Sequence, residues 1–226
     1  MSGAQNRRIT IQLDLSGYSF TIYDRSGAVV SHESRPCPID LSVEELSGLL
    51  KRQYAAVSVY YTTWKYILVP QHLFVRERQR SYLAAVRDVN DDETILSLDL
   101  PSRKAGMAFA VPSRIYNGIV NICRNAKFYP TAYLLIDRIA SISDNNRLLV
   151  SFTDGMLHIA AAERDRLLCA NSFPAADLAT AEYFIFSVTK EVMFNPEHTV
   201  LHIYGSVEDR ISGELSKYFA GVRHIS

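Results

Sequence analysis

The sequence predicts an α/β protein made of two similarly ordered halves. Three observations carry that prediction: apolar residues alternate with period two in short runs, they recur at helical spacing in longer runs, and one order, β-β-β-α-β, occurs twice. The chain has 226 residues, of which 48% are hydrophobic and 21% charged. That composition belongs to a globular protein with one large or two small cores, not to a disordered chain.

In the first half, Ile9, Ile11, Leu13 and Leu15 alternate with polar residues and predict a strand with one buried face. Ser16-Gly17 turns the chain, and Tyr18, Phe20 and Ile22 alternate in a second strand. Asp24-Arg25-Ser26-Gly27 is a turn signal, so 28–34 reads as a third strand. Ser42-Val43-Glu44-Glu45 has the form of a capping box, which places a helix start there and the helix over Leu46, Leu49 and Leu50 to about Tyr54. Val57 and Val59 mark the next strand.

The second half repeats this at an offset of roughly 135 to 138 residues. Residues 148–153 form a strand, Asp154-Gly155 is a two-residue hairpin signal, and 156–161 returns. Glu163-Arg164-Asp165 turns into a third strand over 167–171, and Pro174 breaks it. Asp177 or Thr180 caps an apolar helix that runs to about Phe194, where Asn195-Pro196 ends it. Val200, Leu201, Ile203 and Tyr204 make the fourth strand, Gly205 stops it, and a last helix carries Ile211, Leu215, Tyr218 and Phe219.

In the middle, Pro70 precedes a helix predicted over 72–87, strands are predicted over 94–100 and 107–111, and Pro112-Ser113 starts a helix to about Asn125. The boundary is placed near Val111, giving halves of 1–111 and 112–226. No Gly/Ser-rich linker separates them, so packed halves around a cleft are expected.

Lys+Arg and Asp+Glu both number 24. A protein that holds nucleic acid by neutralising phosphates carries a basic excess, so no nucleic-acid partner is expected. Cys37, Cys123 and Cys169 are odd in number and far apart, which argues against a disulfide framework or a zinc site. No transmembrane segment and no signal-peptide pattern is read, so a cytoplasmic location is expected.

Several short motifs, in this order, resemble those of a known family. They are 9–13 with 18–22, Leu68-Val69-Pro70 with Leu73-Phe74, Asn171-Ser172-Phe173, Glu182-Tyr183-Phe184, and Ile203-Tyr204-Gly205-Ser206. Over nearly its whole length the chain resembles an uncharacterised bacterial domain-of-unknown-function family with the actin-like ATPase fold. The resemblance implies two ribonuclease-H-like halves in the actin-like ATPase arrangement and no assigned activity.

It also implies where ATP and magnesium would sit. The corresponding positions are Asp14, Ser16 and Gly17 in the first turn, Asp154 and Gly155 in the second, and Gly205 and Ser206 for the adenosine wall. The turns depart from the ATPase pattern. The first is looser than Asp-x-Gly-Ser/Thr, the second reads as a plain type I′ hairpin, Gly205 lacks a second glycine, and Tyr18 and Met156 are bulky. No catalytic set is assigned, and no cofactor beyond the ATP and magnesium candidates.

A ribonuclease-H-like nuclease would use Asp14 and a second carboxylate such as Asp99 to hold metal, but no third is found. Tyr60, Tyr61, Trp64 and Tyr66 cluster and are the candidates for binding a protein partner; a hairpin whose aromatic side chains bury one another explains the same cluster. His158 and His202 sit on strands and are read as structural. The expected function is a non-catalytic binding or scaffold protein that engages a protein partner or associates with itself. A nucleotide-binding protein with weak ATPase activity is the alternative, and a metal-dependent nuclease the third.

Overall fold

The structure is a computed structural model and describes residues 7–205 and 207–225. It divides into two compact units, Met1–Pro130 and Thr131–Ser226.

The first unit opens with β1 (Arg8–Leu13), β2 (Gly17–Tyr23) and β3 (Val29–Pro36), an antiparallel meander with the alternating burial that the sequence predicts for β1 and β2. α1 (Ile39–Leu50) follows, and β4 (Ala56–Tyr61) returns parallel to β1. The capping box expected at Ser42 is not used. α1 begins three residues earlier behind Pro38, whose ψ of 133° is extended, and Ser42 lies inside the helix with its hydroxyl donating to the Ile39 carbonyl at 2.7 Å. A serine that bonds back along the helix cannot also cap its start.

A three-stranded antiparallel sheet comes next, from β5 (Tyr66–Pro70), β6 (Glu93–Leu100) and β7 (Ala105–Pro112), with β7 in the centre. α2 (Gln79–Ala84) covers it with Leu83 packed on Ile95 and Ala110. The long helix predicted over 72–87 is therefore mostly absent. A 3₁₀ turn at Arg76–Arg78 and the short α2 replace it. Before them, the Phe74 ring lies over Gly106 of β7, where a Cβ would collide with it. α3 (Ser113–Ile122) then packs on α1, and β8 (Ala126–Pro130) pairs parallel to β4. The first sheet thus has the order β3-β2-β1-β4-β8. α3 and β8, which the sequence-based boundary at 111/112 assigned to the second half, belong to the first unit.

The second unit opens with α4 (Ala132–Arg138), followed by the meander β9 (Asn146–Thr153), β10 (Met156–Glu163) and β11 (Arg166–Pro174). α5 (Leu178–Glu191) is capped by Asp177, whose carboxylate accepts from the Thr180 amide at 2.7 Å. β12 (Val200–Tyr204) runs parallel to β9, and after α6 (Asp209–Leu215) the strand β13 (Gly221–Ile225) runs parallel to β12. Its sheet order is β11-β10-β9-β12-β13.

Taken separately, the two five-stranded sheets have one topology: three antiparallel strands and two parallel ones, in the order third, second, first, fourth, fifth. This is the ribonuclease-H-like order. In the second unit Ile185 of α5 packs over one face of the sheet, on Leu148, Val150, Leu157 and Ile159, while Leu135 of α4 packs on Leu149, Ala160 and Ala162 of the other. Apolar cover on both faces explains why β10 reads as a continuous buried run rather than an alternating one. No helix among the described residues is long and apolar enough to cross a membrane.

Candidate functional site

The turn after β1 is short and tied down. Leu13 faces Tyr18 in the β1–β2 ladder, and the Asp14 amide donates to the Gly17 carbonyl at 2.9 Å. The Ser16 carbonyl accepts from the Cys37 amide at 3.1 Å. Gly17 is required because a Cβ there would lie 2.6 Å from the Arg35 carbonyl oxygen of β3. Close backbone approach, not a positive φ, is what selects glycine at this position.

The Asp14 carboxylate sits at the carboxyl end of β1. Thr62, just past the end of the parallel neighbour β4, donates its hydroxyl to Asp14 Oδ1 at 2.6 Å, and Gln12 Nε2 donates to both carboxylate oxygens at 3.1 and 3.2 Å. Neither partner was among the sequence candidates. Gln12 was legible, since it lies two residues earlier on the same face of β1. Thr62 was not, because only the parallel pairing of β1 with β4 brings it near.

In the second unit the turn after β9 has two residues. Asp154 (φ 48°) and Gly155 (φ 71°) both have positive φ, and Thr153 and Met156 on either side are already paired in the ladder. This is the type I′ hairpin that the sequence predicts. The Gly155 carbonyl accepts from the Ala175 amide at 2.7 Å. Gly205 follows β12 with φ 86° and no atom within 4 Å of a Cβ built on it, so its conformation alone favours glycine. Ser206 lies outside the described residues. Tyr18 and Met156, expected to crowd these turns, are instead 4% and 3% exposed, and the Tyr18 hydroxyl donates to Glu45 of α1 at 3.0 Å. Burial, aided by that carboxylate, raises the Tyr18 pKa.

Asp14 and Asp99 stand on different sheets. Asp99 is on β6 and pairs with Arg76 at 2.6 Å, so the two-carboxylate arrangement of the nuclease reading is not formed on one sheet. Among the described residues no group of three His, Cys, Asp or Glu side chains is placed to hold a metal.

The aromatic cluster is dispersed. Tyr61 is 8% exposed and Tyr66 4%, Tyr60 stacks on Tyr129 of β8 at 5.2 Å, and Trp64 is 38% exposed. The expectation of one exposed patch is corrected: β4 and β5 belong to different sheets, and each turns an aromatic side chain inward. The alternative of a single hairpin between them fails for the same reason. Trp64 is the member left at the surface.

The two strand histidines do have partners, distant in sequence. His158 bonds Ser172 Oγ at 2.6 Å, and His202 Nε2 bonds Asp144 at 2.8 Å. His158 is fully buried, Ser172 is 2% exposed, and desolvation lowers the His158 pKa to about 4. A neutral imidazole closed to substrate is a structural group.

The protein is similar to solved structures across nearly its whole length. One is a protein with actin-like ATPase fold and unknown function from Bacteroides thetaiotaomicron VPI-5482, at TM-score 0.88 and 21% identity, covering 98% of this chain and 91% of that one. Another is the PilM–PilN type IV pilus biogenesis complex, at TM-score 0.57 and 13% identity, covering 97% and 88%. These likenesses, with the repeated sheet order, show that the chain has the actin-like ATPase fold. No curated protein matches it in sequence. A family model described as protein of unknown function (DUF3822) matches residues 2–222, and the chain belongs to that family.

Proposed function

We propose that this protein is a non-catalytic binding or scaffold protein built on the actin-like ATPase fold. The observation that carries this reading is the two-residue turn at Asp154-Gly155. A phosphate cradle needs successive backbone amides that converge on the anion. Here the ladder closes at Thr153 and Met156, and the Gly155 carbonyl accepts from Ala175. Thr153, Asp154, Gly155 and Met156 thus form a tight hairpin that its own ladder and the Ala175 contact explain without a ligand. The partner under this reading is a protein or a second copy of the chain. The neighbouring PilM fold is itself found in a complex with PilN, which supports a protein partner.

The alternative, a nucleotide-binding protein with weak ATPase activity, draws on Asp14. Its carboxylate is held at the carboxyl end of β1 beside Thr62 of the parallel neighbour, the end of an open α/β sheet where ligands usually bind.

Thermal melting with millimolar ATP and magnesium separates the two. A ligand selective for the folded state raises the midpoint by mass action. The scaffold reading expects no change. A rise that Ser16→Ala or Gly155→Val abolishes would replace it with the nucleotide-binding reading.

A further inference from the structure

At the opposite end of the first sheet from Asp14, the loops that lead into β4 and β8 border an open cavity of about 490 Å³. Lys51 and Arg52 follow the end of α1, and Arg124 follows α3; all three line it, and no Asp or Glu does. Several cations elsewhere meet carboxylates, among them Lys65 with Glu93, Arg76 with Asp99, Arg147 with Asp165 and Lys217 with Glu214. Lys51, Arg52 and Arg124 form no ion pair with any described residue.

Favourable interaction with helix carboxyl ends accounts for one cation at each helix. It does not account for three around one cavity. Tyr54 stands in the same wall, 8% exposed, with its hydroxyl beside the Arg52 guanidinium. Burial raises the Tyr54 pKa, and the nearby Arg52 and Arg7 guanidinium groups oppose that rise. The Asn125 side chain adds a polar group to the rim; its oxygen accepts from the Cys123 thiol at 2.8 Å, which leaves the amide nitrogen to donate.

We propose that this cavity binds a small anion bearing phosphoryl groups. Two guanidinium groups offer paired donors that match phosphoryl oxygens, and the ammonium of Lys51 adds a third positive charge. The volume falls within the range of small-molecule sites and exceeds what a bare phosphate fills. The site is independent of the turns at Asp14 and Asp154, and of whether those turns take nucleotide.

The test is calorimetric titration of the full chain with inorganic pyrophosphate, at low and at physiological salt. Saturable binding in the millimolar range or tighter is expected at both. Arg124→Ala and Lys51→Ala should each weaken it by about tenfold, the scale on which one charge-assisted contact acts. Both side chains are exposed, so both variants should keep the parent circular dichroism and melting midpoint; Arg124→Gln replaces any variant that does not. Ser16→Ala and Gly155→Val should leave pyrophosphate binding unchanged. The proposal is overturned if no heat is released at millimolar pyrophosphate, if binding is indifferent to Arg124 and Lys51, or if it vanishes at physiological salt as non-specific ion attraction would.

Discussion

His158 is buried, neutral and bonded to Ser172, and that has a consequence for stability. Its pKa falls from 6.5 in the unfolded chain to about 4 in the folded one. Between those values the unfolded chain binds the proton and the folded chain does not, so stability is full above about pH 6.5 and is lost as pH falls toward 4. The loss is on the order of 3 kcal/mol for a group this buried. Denaturant melts at pH 7 and pH 4.5 should show it. His158→Asn, which keeps a bond to Ser172 but does not titrate, should flatten the difference between the two. Gly17 gives a second prediction at this scale. Gly17→Ala puts a methyl group 2.6 Å from the Arg35 carbonyl, and backbone cannot yield as a side-chain end can. The expected cost is about 1–3 kcal/mol, read as a lower urea midpoint with an unchanged slope.

Among the elements, α1 and α5 are counterparts in the two units but start differently. α5 has a side-chain cap in Asp177, whose pKa is lowered by the hydrogen bond from the Thr180 amide. α1 has no side-chain cap and begins behind Pro38. Asp177→Ala should therefore lower Tm by a few degrees. Ser42→Ala should cost less than a capping-box serine would, because Ser42 bonds only the Ile39 carbonyl within its own helix. Melting the two variants side by side checks the assignment.

For the whole molecule, the division at 130/131 follows from pairing. β8 completes the first sheet along β4, from Val57 opposite Ala126 to Tyr61 opposite Pro130, and α3 packs on α1. A fragment ending at 130 keeps both; one ending at 111 exposes the β4 edge and one side of α1. The fragment 1–130 should melt cooperatively by circular dichroism and 1–111 should not. Equal behaviour of the two would return the boundary to Val111.

Local patterns determined the meanders, the Asp154-Gly155 hairpin, the Asp177 cap and the repeated order of strands, since each is specified by residues close in sequence. They also carried the family resemblance. Several elements were settled only in three dimensions. β8 and β13 are short, and parallel partners far along the chain supply what their own sequences lack. The helix expected over 72–87 is shortened to a 3₁₀ turn and α2, and Phe74 before them packs on Gly106, 32 positions on. Of the candidate site, the turns were legible, but the hold of Thr62 on Asp14, the burial of Tyr61 and Tyr66, and the gathering of Lys51, Arg52 and Arg124 around one cavity were not. Sequence periodicity says which face of an element is apolar. Which elements meet is decided by long-range packing, and binding sites are made where they meet.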